Sequence, residues 1–208
     1  MAHRSAHPRG KMRIMPASKN ALAVGPRVYL RRPVPGDAVA FVAGIRLSER
    51  LHRGWVQAPT TRASFAAYLR RFTGSASRNA RSATHVGVVV CKRADHALLG
   101  VFNFSEIVRG AFKSSYLGYY AFAPHAGQGY MSEGLNLTLA LAFGKLRLHR
   151  VEANVQPTNR RSVSLVRGAG FTREGFSRRY VKIAGRWRDH ERWAMLAEDW
   201  SRLRRGQR

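Results

Sequence analysis

"AFAPHAGQGYMSEGLNLTLALAFGKL" occupies residues 121–146, and its reading decides the fold. Pro124 leads into a turn spaced by Gly127 and Gly129. The apolar spacing that follows predicts a helix over Leu135–Leu146. A strand, a glycine turn and a helix start together can hold phosphate. Unpaired backbone N–H groups point outward at the helix N-terminus, and the dipole adds partial positive charge. Glycine lets the backbone approach a ligand and permits positive φ. By itself, however, "GQG" reads equally as a plain turn. It is not a Walker loop, because no Gly-Lys-Ser/Thr follows. It is not the dinucleotide fingerprint either, because the third glycine and the acidic ribose ligand are missing.

Working outward, three strands with short connections precede this stretch: residues 84–91 ("THVGVVVC"), 98–107 and 114–124, a predicted antiparallel meander. Before them, "RVYLRRP" (27–33) alternates as a strand and ends at Pro33 and Pro35. Asp37 is placed to cap a helix carrying Phe41, Val42 and Ile45. Thr61 is placed to cap a second helix, on which Phe65, Tyr68, Leu69 and Phe72 share one face. The stretch "TGSASRNARS" (73–82) reads as a polar loop. After the helix, "HRVEANV" (149–155) is a buried strand. "NRRSVSLVRGAGF" is a short helix stopped by Gly168 and Gly170. Two strands then flank Ala184-Gly185 as a hairpin. The order is βααβββαβαββ.

A chain of 208 residues with 45% hydrophobic content fits one core. The expected layout is a basic disordered arm over 1–26, one domain over 27–200, and a basic tail over 201–208. No apolar run reaches the roughly 20 residues of a membrane helix, and no secretory signal is legible at the start, so the expectation is a soluble cytoplasmic protein. Cys91 is the only cysteine, expected to be a small buried apolar residue. The eight histidines do not gather with cysteine or carboxylate at ligand spacing, so no metal site is expected. With 37 Lys plus Arg against 11 Asp plus Glu, the formal charge is +26. Such a field attracts polyanions and repels cationic small molecules.

Three ordered segments, "YLGYYAFAPHAGQGYMSEGL", "LRLHRVEANVQPTNRRSVSLVRGAGFTREG" and "GRWRDHERWAML", resemble the GNAT superfamily of acetyl-CoA-dependent N-acetyltransferases. They resemble most its RimJ/RimL type, which acetylates the N-terminal amine of ribosomal proteins. The resemblance spans roughly residues 27–200. It implies an α/β (α+β) fold with a mixed, mostly antiparallel, splayed sheet of about seven strands and helices on both faces. Acetyl-CoA would enter the splay. The family's pyrophosphate loop maps onto Ala126, Gly127, Gln128, Gly129, Tyr130 and Met131. Family members often carry Arg or Gln at the first loop position, where Ala126 offers no side chain. Ser132 would cap the helix or reach a phosphate. The strand through Ala121, Phe122 and Ala123 would hydrogen-bond the pantetheine arm. Asn159 would bind the cofactor arm or cap its helix.

For chemistry, the resemblance makes Ser162 a candidate to protonate the departing thiolate. The tyrosine that many relatives place on this helix is replaced by Val166, which leaves Tyr130, Tyr119 and Tyr120 as alternatives. A neutral amine attacks the thioester directly, so a modest base suffices. Glu152 is the first candidate, with pairing to Arg150 as its competing role; Glu106, Glu133 and His149 stand behind it.

Three functions compete. The first is acetylation of a protein N-terminus, of a ribosomal protein in particular, by a monomer or homodimer whose basic surface contacts RNA. The second is acetylation of a small amine such as an amino sugar, amino acid or antibiotic. The third is RNA binding on a degenerate fold. The residues expected to select the acceptor, around 46–60 and 178–190, are loop-like.

Overall fold

The computed structural model describes residues 16–73 and 82–206. Eight strands form one sheet: β1 (Ala23–Val24), β2 (Val28–Arg31), β3 (Val86–Lys92), β4 (Leu98–Val108), β5 (Ser114–Ala121), β6 (Arg150–Val155), β7 (Thr172–Ile183) and β8 (Arg186–Leu196). Their order is β1-β2-β3-β4-β5-β6-β8-β7. Every neighbouring pair is antiparallel except β5 with β6. The strand beyond the seven expected is the two-residue β1. The helices are α1 (Ala38–Leu47), α2 (Glu49–His52), α3 (Arg62–Thr73), α4 (Tyr130–Ala140), α5 (Arg160–Gly168) and α6 (Ala197–Arg205).

Strand alternation sends successive side chains to opposite faces, and the central strands are buried on both. Val28, Leu30, Val88 and Val90 pack with Leu135 and Leu139 of α4. Tyr29, Val89, Cys91 and Val101 pack instead with Phe41 of α1 and Phe65 and Tyr68 of α3. Leu135 and Leu139 are fully buried, each contributing about 2 kcal/mol through lost apolar exposure. Cys91 is fully buried, as expected, and burial pushes its thiol up to about 11.

Local chemistry explains several boundaries. Thr61 caps α3: its Oγ1 accepts from the Ser64 N–H at 3.1 Å, and the Ser64 hydroxyl returns a bond to the Thr61 carbonyl. Asp37 does not cap α1. It sits in helical geometry at φ −75°, and its carboxylate accepts both guanidinium nitrogens of Arg31 at 2.7 Å and the Val34 N–H at 2.8 Å. It therefore staples β2 to the turn after it.

Three stretches differ from the sequence reading. Residues 16–26, expected to be arm, include β1, and Ala17, Ala21 and Leu22 pack on the two cores. The arm's residues 1–15 lie outside the described residues, as do residues 74–81 of the polar loop and 207–208 of the tail. The rest of the tail continues α6. The helix expected from Leu135 starts at Tyr130 and ends in a π-helical turn, Leu141–Lys145. Segment 46–60, expected to be loop, contains α2.

Candidate active site

The decisive geometry is the failure of β5 and β6 to stay together. They pair only from Ser114–Arg150 to Tyr116–Glu152. Beyond that point β5 remains bonded to β4 and β6 to β8, and the sheet opens. A cleft of about 930 Å³ occupies the opening, walled by β5, the glycine turn with the start of α4, the start of α5, and α2.

At one end, Gly127 and Gly129 both adopt φ +78°, in the left-handed region that L side chains avoid. Both are exposed. A Cβ on Gly127 would meet no atom within 4 Å, so its outer side faces open space. Gly129 takes the N-cap position of α4 without a side-chain cap, and the first-turn amides are left to an external acceptor. Ala126, Gly127, Gly129, Tyr130, Met131 and Ser132 line the cleft. Ser132 lies within α4 rather than at its cap. Gln128 is turned aside: its amide donates to the Pro124 carbonyl at 3.3 Å, and its own carbonyl accepts from Arg27 at 3.1 Å. Glu133 lies in the first turn of α4, where a free carboxylate would repel the phosphate expected there. It is occupied by Arg27, whose Nε lies 3.0 Å away, and by the backbone N–H groups of Arg27 and Val28. The same guanidinium stands over the Tyr130 ring and beside Gly129.

Along the wall, Phe122 donates its N–H to Leu99 of β4. By alternation, Ala121 and Tyr119 turn their backbone edges toward the opening. Of the three strand residues expected to meet the cofactor arm, Phe122 and Ala123 have their N–H groups taken within the fold. Phe122 is 2% exposed and packed against Phe41, and the Ala123 N–H is taken by the Ser48 hydroxyl at 2.8 Å.

Asn159 accepts the Ser162 N–H at 3.2 Å, which caps α5, and it also lines the cleft. Ser162 Oγ lies 2.5 Å from the Tyr119 hydroxyl, joining the two walls across the splay. Burial pushes the Tyr119 phenol up to about 12, against a smaller lowering by the Ser162 bond. Val166 is fully buried in the core, and the tyrosine in contact with Ser162 is Tyr119 of β5.

None of the four expected bases lines the cleft. Glu152 accepts from Arg150 Nε at 2.8 Å, and Arg150 also binds Glu174. Its location corrects the expectation of a cleft-facing carboxylate and favours the competing ion-pair role. Glu133 is held by Arg27, Glu106 faces Arg71 and His85, and His149 pairs with Glu198 at the surface. Sequence reading missed His52, Trp55 and Arg50, which α2 and its following turn bring to the cleft, and Arg160 and Arg161 at the start of α5. The paired arginines beside Asn159 were a legible signal; α2 was not. Among the described residues the lining holds three arginines and no carboxylate. No group of three or more potential metal ligands is found among them.

Residues 27–172 match the acetyltransferase (GNAT) domain family, which is most of the chain. The chain belongs to the GNAT acetyltransferase family. Members of this family use acetyl-CoA, and the backbone cradle, open on its ligand side and free of unpaired carboxylate, fits a diphosphate. Among relatives of this GNAT chain, the "[Ribosomal protein uS5]-alanine N-acetyltransferase" of Escherichia coli is 39% identical over 104 residues, covering 50% of this chain and 54% of that protein. The chain spans little more than half the length of the curated relatives it matches. Mycobacterium smegmatis RimJ in complex with CoA-disulfide superposes with a TM-score of 0.75 at 25% identity, covering 88% of this chain and 94% of that one. A spermidine N-acetyltransferase from Vibrio cholerae, with a TM-score of 0.68 at 21% identity over 84% of this chain and 98% of that one, shares the fold. Among the described residues no helix is long and apolar enough to cross a membrane.

Proposed function

We propose that this chain transfers the acetyl group of acetyl-CoA to the N-terminal amine of a protein, and that the acceptor is a ribosomal protein. One observation carries the reading: the sheet opens between a glycine cradle and a tyrosine–serine pair, in a cleft with no carboxylate among its described lining. The likeness to the E. coli enzyme named for uS5 alanine supports the acceptor class. The lining also separates this reading from a polyamine acceptor, because a polycation bound beside Arg50, Arg160 and Arg161 would be repelled. A basic exterior of formal charge +26 would favour approach to an RNA-rich particle.

In this reading, the N–H groups around Gly127 and Gly129 and the first turn of α4 hold the pyrophosphate of CoA. Arg27, beside Gly129, neutralises Glu133 and so keeps the first turn of α4 free of net negative charge. The backbone edge at Tyr119 and the N–H of Ala121 align the pantetheine arm as an added strand does. The Tyr119–Ser162 pair keeps a proton where the thiolate departs. A phenol raised to about 12 does not readily surrender its proton to a thiolate with a pKa near 8.5. Its contribution is a hydrogen bond to charge as it develops.

The test is acetyl transfer, followed by thiol release, to a panel of peptide N-termini beside amino sugars, amino acids and spermidine. Acetylated peptides are expected. Turnover of a small amine with no peptide acetylated would replace this reading with the small-molecule one. Acetyl-CoA at 100 times its Kd should stabilise the fold by about 2.7 kcal/mol; no shift at saturation would remove both.

A further inference from the structure

We infer that His52 of α2 accepts the proton of the attacking amine at its Nδ1, through one water held jointly with the Tyr120 hydroxyl. This rests on the acetyltransferase reading and adds the base that the sequence did not reveal.

The ring is fixed in the required state by its partner. His52 Nε2 lies 2.8 Å from the Ala121 carbonyl oxygen. A carbonyl only accepts, so Nε2 carries the hydrogen and Nδ1 presents a lone pair in the neutral ring. His52 is 7% exposed and Tyr120 9%. His52 Nδ1 and the Tyr120 hydroxyl are both buried without a hydrogen-bond partner. Their rings meet edge-on at 5.3 Å, and both residues line the cleft. Each unpartnered polar atom costs about 1–3 kcal/mol, and the rings that carry them are in edge contact. A polar guest that reaches both recovers that cost, and the incoming amine with its water is such a guest. The place is right as well. Ala121 is the edge residue of β5 at the opening, two positions from Tyr119 and its bond to Ser162.

Burial lowers the His52 pKa below 6.5, against a smaller raising by the Ala121 bond, so the ring is neutral and basic at pH 7. Tyr120 on β5 is the titratable group in ring contact. Arg50 of its own helix and His125 of the β5–α4 connection line the same cleft, while Arg46, Glu49 and Arg53 line a smaller cavity of about 270 Å³ on its other side. His125 adjoins Ala126 at the phosphate end, which leaves His52 at the thioester end.

The step balances. The amine nitrogen bonds to the acyl carbon and the C–S bond breaks. The proton lost from nitrogen passes through the water to Nδ1 and then to solvent. The departing thiolate takes a proton from solvent by way of the Ser162 hydroxyl. As the imidazole becomes cationic, its Nε2–H bond to Ala121 becomes charge-assisted and strengthens.

His52→Gln tests this, because the glutamine amide can keep the bond to Ala121 but cannot take the proton. At pH 7, kcat/KM for the acceptor should fall about 100-fold, with the acid limb of the pH profile abolished and the acetyl-CoA thermal shift retained. Tyr120→Phe should cost about 10-fold by the same route. Activity of His52→Gln within about threefold of the parent across pH overturns the inference and leaves the acetyltransferase reading standing. A parent protein that neither shifts with acetyl-CoA nor transfers acetyl overturns that reading instead. The imidazole nitrogen-15 shifts report the ring independently of turnover: Nε2–H is expected, and an Nδ1–H tautomer refutes the assignment.

Discussion

The two ends of the cleft are built by opposite means. In the proposed reading, the phosphate end is the stretch Ala126–Ser132, which would work through backbone N–H groups and two glycines at φ +78°. The proposed amine end draws on α2, β5 and α5, residues 52, 119, 120 and 162, and would work through side chains. A site made of backbone at one turn tolerates changes in its neighbours but not in its dihedrals. A site made of distant side chains depends on the sheet that brings them together.

The contrast breaks most readily at the amine end. Tyr119→Phe removes the hydroxyl at Ser162 and should lower kcat about 100-fold with little change in the Kd of acetyl-CoA. An equal loss in both would move Tyr119 from the reaction to cofactor binding. At the phosphate end the pattern should reverse. Gly127→Val places a β-branched side chain at positive φ, costing about 1–2 kcal/mol, and projects it into the open cradle. Calorimetry should show acetyl-CoA binding at least about 10-fold weaker, while unchanged affinity would refute the cradle. Glu152→Gln should act on stability alone. It loosens a half-buried ion pair with Arg150 worth about 0.5–1 kcal/mol, and turnover should stay within about threefold. A pH-dependent loss of turnover would return Glu152 to the chemistry.

The smallest effect is the pH dependence of stability. Burial lowers His52, His85 and His190 from 6.5. Below pH 6.5 the folded chain therefore binds fewer protons than the unfolded chain, and stability falls as pH drops. Tyr119 has the opposite sign: raised from 10.0 to about 12, it stabilises fully below pH 10 and loses that contribution as pH rises to 12. Cys91, raised from 9.0 to about 11, acts with the same sign from pH 9, so Tm should plateau between about pH 7 and pH 9. Continued rise of Tm above pH 10 would contradict the buried phenol.

Much of the fold was legible because its signals are local. Period-two alternation marked β2, short connections marked β3 to β5 as a meander, Thr61 marked the start of α3, and the glycines marked the turn. The errors came where a local signal had a competing tertiary partner. Asp37 has the chemistry of a cap, but the Arg31 fork is a stronger partner for a nearly buried carboxylate. Glu152 has the chemistry of a base, but Arg150 lies two residues away on the same face. The stretch 46–60 carries few apolar residues at helical spacing, so a four-residue helix ending in His52 left no periodic trace.

The sequence by itself determined the cradle and its order within the strands, because backbone conformation at glycine and strand pattern are short-range properties. Only the tertiary structure decided which side chains share the cleft. The separation of β5 from β6 beyond Tyr116 and Glu152 is a property of the whole sheet. It brings Tyr119 to Ser162, 43 residues away, and leaves room for His52 at Ala121, 69 residues away. Contacts at such separations have no sequence period to announce them.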